Sequence, residues 1–277
     1  MAAGAVLAVA CNKDFCRSEG PEEAPGTEIC FKVGEMDVDV QTRLSAVTAS
    51  SLETLNVMAT TATGGAETLS WTTTATLIEN SGGRYQTGKY WPYTNPNYHF
   101  YLSNQTILFE SGAPKMNVDG TEDVVCGKIL SPQFQAQYVG ASVSHIYSWI
   151  KDITLTSTHG YEISDVSITL PDVKRGGKYN LYSGSWESYV TEEAHALSVG
   201  TNDVLVVPGT TSISVDYTLT KGDFTQSFTS TRTVTLEAGK QYDLNCNIII
   251  DPAVAVVIQV TVASWRDEAI TLGLTES

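Results

Sequence analysis

Ile213-Ser214-Val215-Asp216-Tyr217-Thr218-Leu219 alternates apolar and polar residues without a break. In an extended strand successive side chains point to opposite faces, so this pattern places Ile213, Val215, Tyr217 and Leu219 on one packed face and leaves the other wet. The same period of two recurs outward from this stretch. It runs through Ile153 and Leu155, Val166, Ile168 and Leu170, and Val204 and Val206. Tyr242, Leu244, Cys246 and Ile248 continue it, followed by the run from Val254 to Trp265. Toward the N-terminus it covers Ile29, Phe31 and Val33, then Val38 and Val40, then Leu55, Val57 and Ala59. Tyr98–Leu102 and Ile107–Phe109 extend the β pattern. Turn signals separate the runs: Asn80-Ser81-Gly82-Gly83 marks a hairpin, and Glu237-Ala238-Gly239-Lys240 marks another turn. Val190–Leu197 is a candidate for two helical turns. Val143, Ile146, Trp149 and Ile150 have helical spacing but run directly into Ile153–Leu155, so the segment reads as a strand.

Many short, half-buried strands predict an all-β chain of antiparallel sandwiches. A length of 277 residues suits two of them. The expected layout is a signal segment at 1–11, a tether rich in Pro, Gly and acidic residues at 12–27, an N-terminal sandwich at 28–138 and a C-terminal one at 139–277.

The apolar run Ala2–Ala10 is too short to span a bilayer and reads as the apolar core of an export signal. Leu7, Ala8, Val9 and Ala10 precede Cys11, as small residues precede a lipidated cysteine. Cys11 is therefore the expected lipidation site, with a chance apolar start and a buried Cys as the alternative. Cys16, Cys30, Cys126 and Cys246 form no CxxC pair and lie outside metal-ligand spacing of any histidine, so no metal site is expected. Cys30 and Cys126 lie in strand-like runs and read as small buried residues, while a Cys16–Cys30 disulfide stays open.

The net charge of −15, from 31 acidic and 16 basic residues, repels phosphate backbones and argues against nucleic-acid partners. His99, His145, His159 and His195 are scattered, and no phosphate loop, nucleophile elbow or HExxH occurs. No enzyme and no cofactor are expected, although a sandwich can bring acidic groups together across strands. Tyr90-Trp91-Pro92-Tyr93, continued by Tyr98, Phe100 and Tyr101, is the densest aromatic patch. Trp91, Tyr93 and Trp186 are candidates for stacking on a ligand. The competing reading puts alternate rings in the core.

Six segments, in order, resemble the fimbrillin family of type V pilus subunits and related surface lipoproteins of the Bacteroidota. They are Ala8–Cys11, Thr42-Arg43 before Leu55–Ala59, Lys89-Tyr90-Trp91-Pro92 before Tyr98–Tyr101, Ser144–Ser148, Glu237–Tyr242 and Val260–Trp265. The resemblance implies two tandem transthyretin-like β-sandwiches. It also implies an outer-membrane, lipid-anchored (palmitate-bearing) precursor of a surface fimbrium that serves cell adhesion. Partners would be other pilus subunits, the outer membrane through the lipid, and host protein or glycan. Assembly would follow a cut after Arg43, loss of the first strand and insertion of a neighbour's strand. Ile270, Leu272 and Leu274 alternate and are the candidate donor strand. A non-polymerising surface lipoprotein that binds glycan or host protein is the alternative.

Overall fold

A computed structural model describes residues 26–33, 52–63, 66–79, 81–92, 97–132, 138–157, 160–249, 255–264 and 269–271. At 63, 157, 249, 255–264 and 269–271 the description is of the backbone alone. The described residues contain no helix. The first strands are β1 (Glu28–Val33), β2 (Thr54–Thr63), β3 (Ala66–Leu77), β4 (Arg84–Tyr90) and β5 (Tyr98–Ser103). Then come β6 (Leu108–Glu110), β7 (Ala113–Val118), β8 (Val125–Leu130), β9 (Val139–Ala141) and β10 (Ser144–His145). After them run β11 (Ser148–Ser157), β12 (Glu162–Asn180), β13 (Ser185–Leu197), β14 (Gly200–Val206) and β15 (Gly209–Lys221). The last are β16 (Phe224–Leu236), β17 (Lys240–Ile249), β18 (Ala255–Ser264) and β19 (Ala269–Thr271).

The first sheet has the order β10-β8-β5-β2-β3-β4-β1-β9. Residues near its two ends, Val125 of β8 and Val139 and Ala141 of β9, share one core with Ile29, Phe31, Leu55, Val57 and Phe100. The sheet thus closes over its own apolar face. The second core lies between the sheets β16-β15-β12-β7-β6 and β14-β11-β17-β18-β19. The alternation read at Ile213–Leu219 is realised in β15, whose Ile213, Val215, Tyr217 and Leu219 all enter this core. The outer row of the β15–β16 hairpin pairs hydroxyls across the strands, as in Ser214 with Thr231 and Thr218 with Ser227.

A third cluster joins the two halves. It holds Met58 and Tyr101 from the first sheet, Met116 from β7, and Ile146, Tyr147, Trp149, Leu181, Leu205 and Val207 from the C-terminal half. β5 is buried at every position from Tyr98 to Ser103. Its Tyr98, Phe100 and Leu102 face the first core, while Tyr101 faces the joint. Close backbone approach at the joint requires glycine: a Cβ on Gly120 would lie 1.9 Å from the Arg175 carbonyl oxygen, and its φ is +74°.

Three sequence expectations change. The boundary at 138/139 is not where the sheets part, because β9 and β10 pair with β1 and β8 of the first sheet. Conversely, β7 pairs with β12, from Gly177 opposite Val118 to Asn180 opposite Lys115. The helical candidate Val190–Leu197 is part of β13, held in register against β12. Not every pairing is antiparallel: β1 runs parallel to β9 and β11 to β17. Long intervening chain permits this where a short hairpin does not.

Cys30 is disulfide-bonded rather than a plain buried thiol, and Cys16 lies outside the described residues. Cys126 and Cys246 are buried free thiols, and burial pushes them up to about 12 and about 11. The thiolate is the reactive form. Iodoacetamide should therefore leave both unmodified in the folded protein and alkylate both in denaturant, as read by peptide mass mapping. Native-state alkylation of either would contradict this packing.

Candidate strand-exchange site

The first strand forms the site with the clearest mechanical consequence. Ile29 and Phe31 are fully buried and Val33 is 2% exposed, so one face of β1 lies wholly in the first core. Phe31 meets Phe100 edge to face at 5.1 Å, and Phe100 in turn contacts Trp71, Trp91 and Tyr98. An aromatic slot therefore receives the centre of the strand. Burial of three such side chains contributes about 1.5–3 kcal/mol each.

Backbone pairing fixes both edges. β1 runs antiparallel to β4, with Cys30 opposite Gln86, Phe31 opposite Tyr85 and Lys32 opposite Arg84. On its other edge it runs parallel to β9, with Phe31, Lys32 and Val33 opposite Val139, Gly140 and Ala141. Among the described residues β9 pairs with β1 alone, so β1 is the strand that ties β9 to the sheet. Side chains reinforce this clamp: Lys32 Nζ and Arg84 Cζ lie 5.4 and 5.2 Å from the Tyr138 ring centre.

Further hydrogen bonds hold the strand's ends. Thr87 donates from Oγ1 to the Ile29 carbonyl at 2.6 Å, and the Gly88 amide donates to Glu28 Oε1 at 2.7 Å. The Trp91 amide donates to the Thr27 carbonyl at 2.9 Å. The Val33 amide donates to the Gly83 carbonyl at 3.0 Å. A Cβ on Gly83 would lie 2.8 Å from the Val33 carbonyl oxygen, and Gly83 has φ +83°, so the glycine of the predicted hairpin also seats β1.

At the other end of the chain, β19 occupies the outside of its sheet and pairs with β18, Ile270 standing opposite Val262. Leu272, Leu274, Arg43, Cys11 and Tyr93 lie outside the described residues.

The aromatic candidates separate. Trp91 is 4% exposed and belongs to the first core, within 6.0 Å of Phe100 and 6.2 Å of Tyr98, so it presents no surface to a ligand. Trp186 is half-buried over the joint, packed on Tyr147 and Tyr179 and stacked with exposed Tyr189 at 6.4 Å. Lys174 Nζ covers the Tyr189 ring at 4.0 Å. An open cleft of about 510 Å³ lies at the joint, lined by Gln105, Asn117, Asp119, Glu122, Lys178 and Ser188 among others. Two donors from Thr121, its hydroxyl and its backbone amide, hold the Asp119 carboxyl below its ordinary range.

The histidines, scattered in sequence, each meet a carboxylate where described. His99 reaches Glu67 at 2.6 Å, His145 reaches Asp123 at 2.9 Å, and His195 reaches Glu192 at 3.0 Å. His195 and Glu192 stand three residues apart on β13, whereas nothing in the local sequence signals the other two meetings, which join residues 32 and 22 positions apart. No group of three or more His, Cys, Asp and Glu is placed to hold a metal ion among the described residues.

Comparison with known proteins agrees with this architecture. Three solved structures share the fold at low identity. A provisionally assigned cell adhesion protein from Bacteroides uniformis is 14% identical, with a TM-score of 0.56, covering 89% of this chain and 100% of its own. One from Parabacteroides distasonis is 11% identical, with a TM-score of 0.55, covering 87% and 98%. A protein from Bacteroides thetaiotaomicron, provisionally assigned to polysaccharide binding, is 8% identical, with a TM-score of 0.51, covering 89% and 98%. No curated protein matches the sequence. Residues 143–265, within the C-terminal half of the chain, match the model of the fimbrillin-like family.

Proposed function

We propose that the chain is a structural subunit of a cell-surface fimbria, assembled by β-strand exchange at the β1 slot and serving adhesion. The observation that carries this reading is the position of β1. It fills an aromatic slot with alternate residues and bridges two strands, so its loss opens a groove with two unpaired edges. An incoming strand needs apolar residues two apart, as in Ile29, Phe31 and Val33. Ile270, Leu272 and Leu274 have that spacing. A neighbour's C-terminal strand could thus restore both the ladder and the core.

Arg43 is the proposed cut, because it lies between β1 and β2 and its cleavage severs β1 from the body. Cys11 is the proposed lipid site that holds the precursor at the outer membrane before assembly. Nothing in this mechanism requires chemistry from the subunit itself.

Limited trypsin digestion of the folded, tether-free protein, read by intact mass and size exclusion, tests this reading. A single early cut after Arg43 followed by a ladder of oligomers is the expected result. A cut protein that keeps β1 and remains monomeric under the same conditions would sink it.

A second reading has one observation in its favour. Trp186 and Tyr189 form a stacked, partly exposed pair near the cleft, and a fold relative is provisionally assigned to polysaccharide binding. Under that reading the chain binds glycan at the joint without polymerising.

A further inference from the structure

We infer that Ser131, His99 and Glu67 form a serine-nucleophile site on the outer face of the first sheet, suited to carboxylic esters with an apolar acyl group. Ser131 Oγ lies 3.1 Å from His99 Nε2, and His99 Nδ1 lies 2.6 Å from Glu67 Oε1. The order hydroxyl, imidazole, carboxylate is the one in which a histidine can take a serine proton while a carboxylate orients the ring.

The three residues are graded in exposure as such a relay needs. The Glu67 side chain is 5% exposed and that of His99 is 11%, while Ser131 is exposed to solvent. The Glu67 carboxylate also accepts from Thr60 Oγ1, and from the Tyr101 hydroxyl at 3.4 Å. These donors hold it in place and leave Oε1 aimed at the ring. Ser131 stands just after β8 in a left-handed conformation, φ +49°, one of four described non-glycine residues with positive φ. Strain of this kind is retained where the surroundings enforce it, and it lifts the hydroxyl off the strand toward His99.

Strand register then supplies an acyl-binding surface. Leu69 stands opposite Thr60, Thr60 opposite His99, and His99 opposite Leu130. Directly opposed residues share a face. Leu69 and Leu130, exposed by 42% and 47%, therefore flank the histidine on the same side of the sheet. Two exposed leucines on either side of a buried histidine and carboxylate fit an apolar chain leading to a reactive carbonyl.

Ser131 Oγ attacks the carbonyl carbon as its proton passes to His99 Nε2, and Glu67 stabilises the imidazolium. Collapse of the tetrahedral adduct breaks the ester C–O bond, and His99 returns the proton to the leaving alcohol. Water then attacks the acyl-serine carbonyl, giving a proton to His99, and the acyl C–Oγ bond breaks as His99 returns that proton to Ser131 Oγ and the carboxylic acid departs.

The test is labelling of the folded, full chain with a biotinylated fluorophosphonate, followed by peptide mass mapping. The probe forms an Oγ–P bond and releases fluoride. Label should concentrate on Ser131 about 10²–10⁴ faster than on exposed Ser183, the range that a positioned general base supplies. It should vanish in Ser131→Ala, which alters an exposed position and spares the core. In wild-type protein the labelling rate should fall on acidification, because a protonated His99 accepts no proton. Glu67→Gln, whose fold is checked by circular dichroism, should slow labelling and change that pH profile. Labelling of Ser131 at the rate of Ser183, or a rate indifferent to acidification, would overturn the inference. The strand-exchange reading is untouched by either result, since it uses neither His99 nor Ser131.

Discussion

Phe31→Ala should lower the unfolding free energy by about 3–5 kcal/mol, the range for deleting a buried aromatic ring. The ring is fully buried and meets Phe100 edge to face, so truncation leaves a cavity in the first core that a β-sheet cannot readily collapse. Domains are stable by only about 5–15 kcal/mol, so this is a large fraction of the total. The loss should also be local. β9 takes its sheet pairing from β1, so hydrogen exchange at 139–141 should rise with exchange at 28–33, while exchange in β17 stays at its wild-type level. Urea denaturation and exchange mass spectrometry measure the two effects. A midpoint shift worth less than about 1 kcal/mol, or unchanged exchange at 139–141, would show that the first strand is not the keystone of its sheet.

Trp149→Ala should cost a similar amount, about 3–5 kcal/mol, through a different mechanism. Trp149 is 1% exposed and sits in the joint beside Tyr101, Met116 and Leu205, residues from both halves of the chain. Its removal weakens the cluster that couples the halves rather than either sandwich core. Calorimetry should then show the wild-type transition broadening or splitting into two, as expected when coupled units begin to melt separately. A single sharp transition at nearly the wild-type temperature would mean that the pairing of β7 with β12 carries the coupling and the cluster does not.

The contrast between these two sites separates what was legible in the sequence from what was not. Alternation at Ile29–Val33 and Ile213–Leu219 is a local property, set by the extended backbone, and by itself it determined an all-β chain with one face of each such strand in a core. The glycines at 82 and 83 likewise marked a reversal that the structure contains. Six ordered segments from Ala8–Cys11 to Val260–Trp265 resembled the fimbrillin family, and the match over residues 143–265 covers the last three of them.

Tertiary structure decided the rest. Val190–Leu197 has helical spacing, yet pairing with β12 along the hairpin outweighs a local preference of a few tenths of a kcal/mol per residue. Trp91 and Trp186 were equal candidates by composition. One fills a core and the other half-covers a joint, because burial depends on which strand lies opposite. Tyr101 of β5 is buried because residues from the far half of the chain cover it. Glu67, His99 and Ser131 stand 32 residues apart at each step and meet through the register of β3, β2, β5 and β8. A period of two says which face a side chain takes. Only the pairing of strands distant in sequence says what stands opposite it, and that pairing is fixed by the whole core rather than by any one segment.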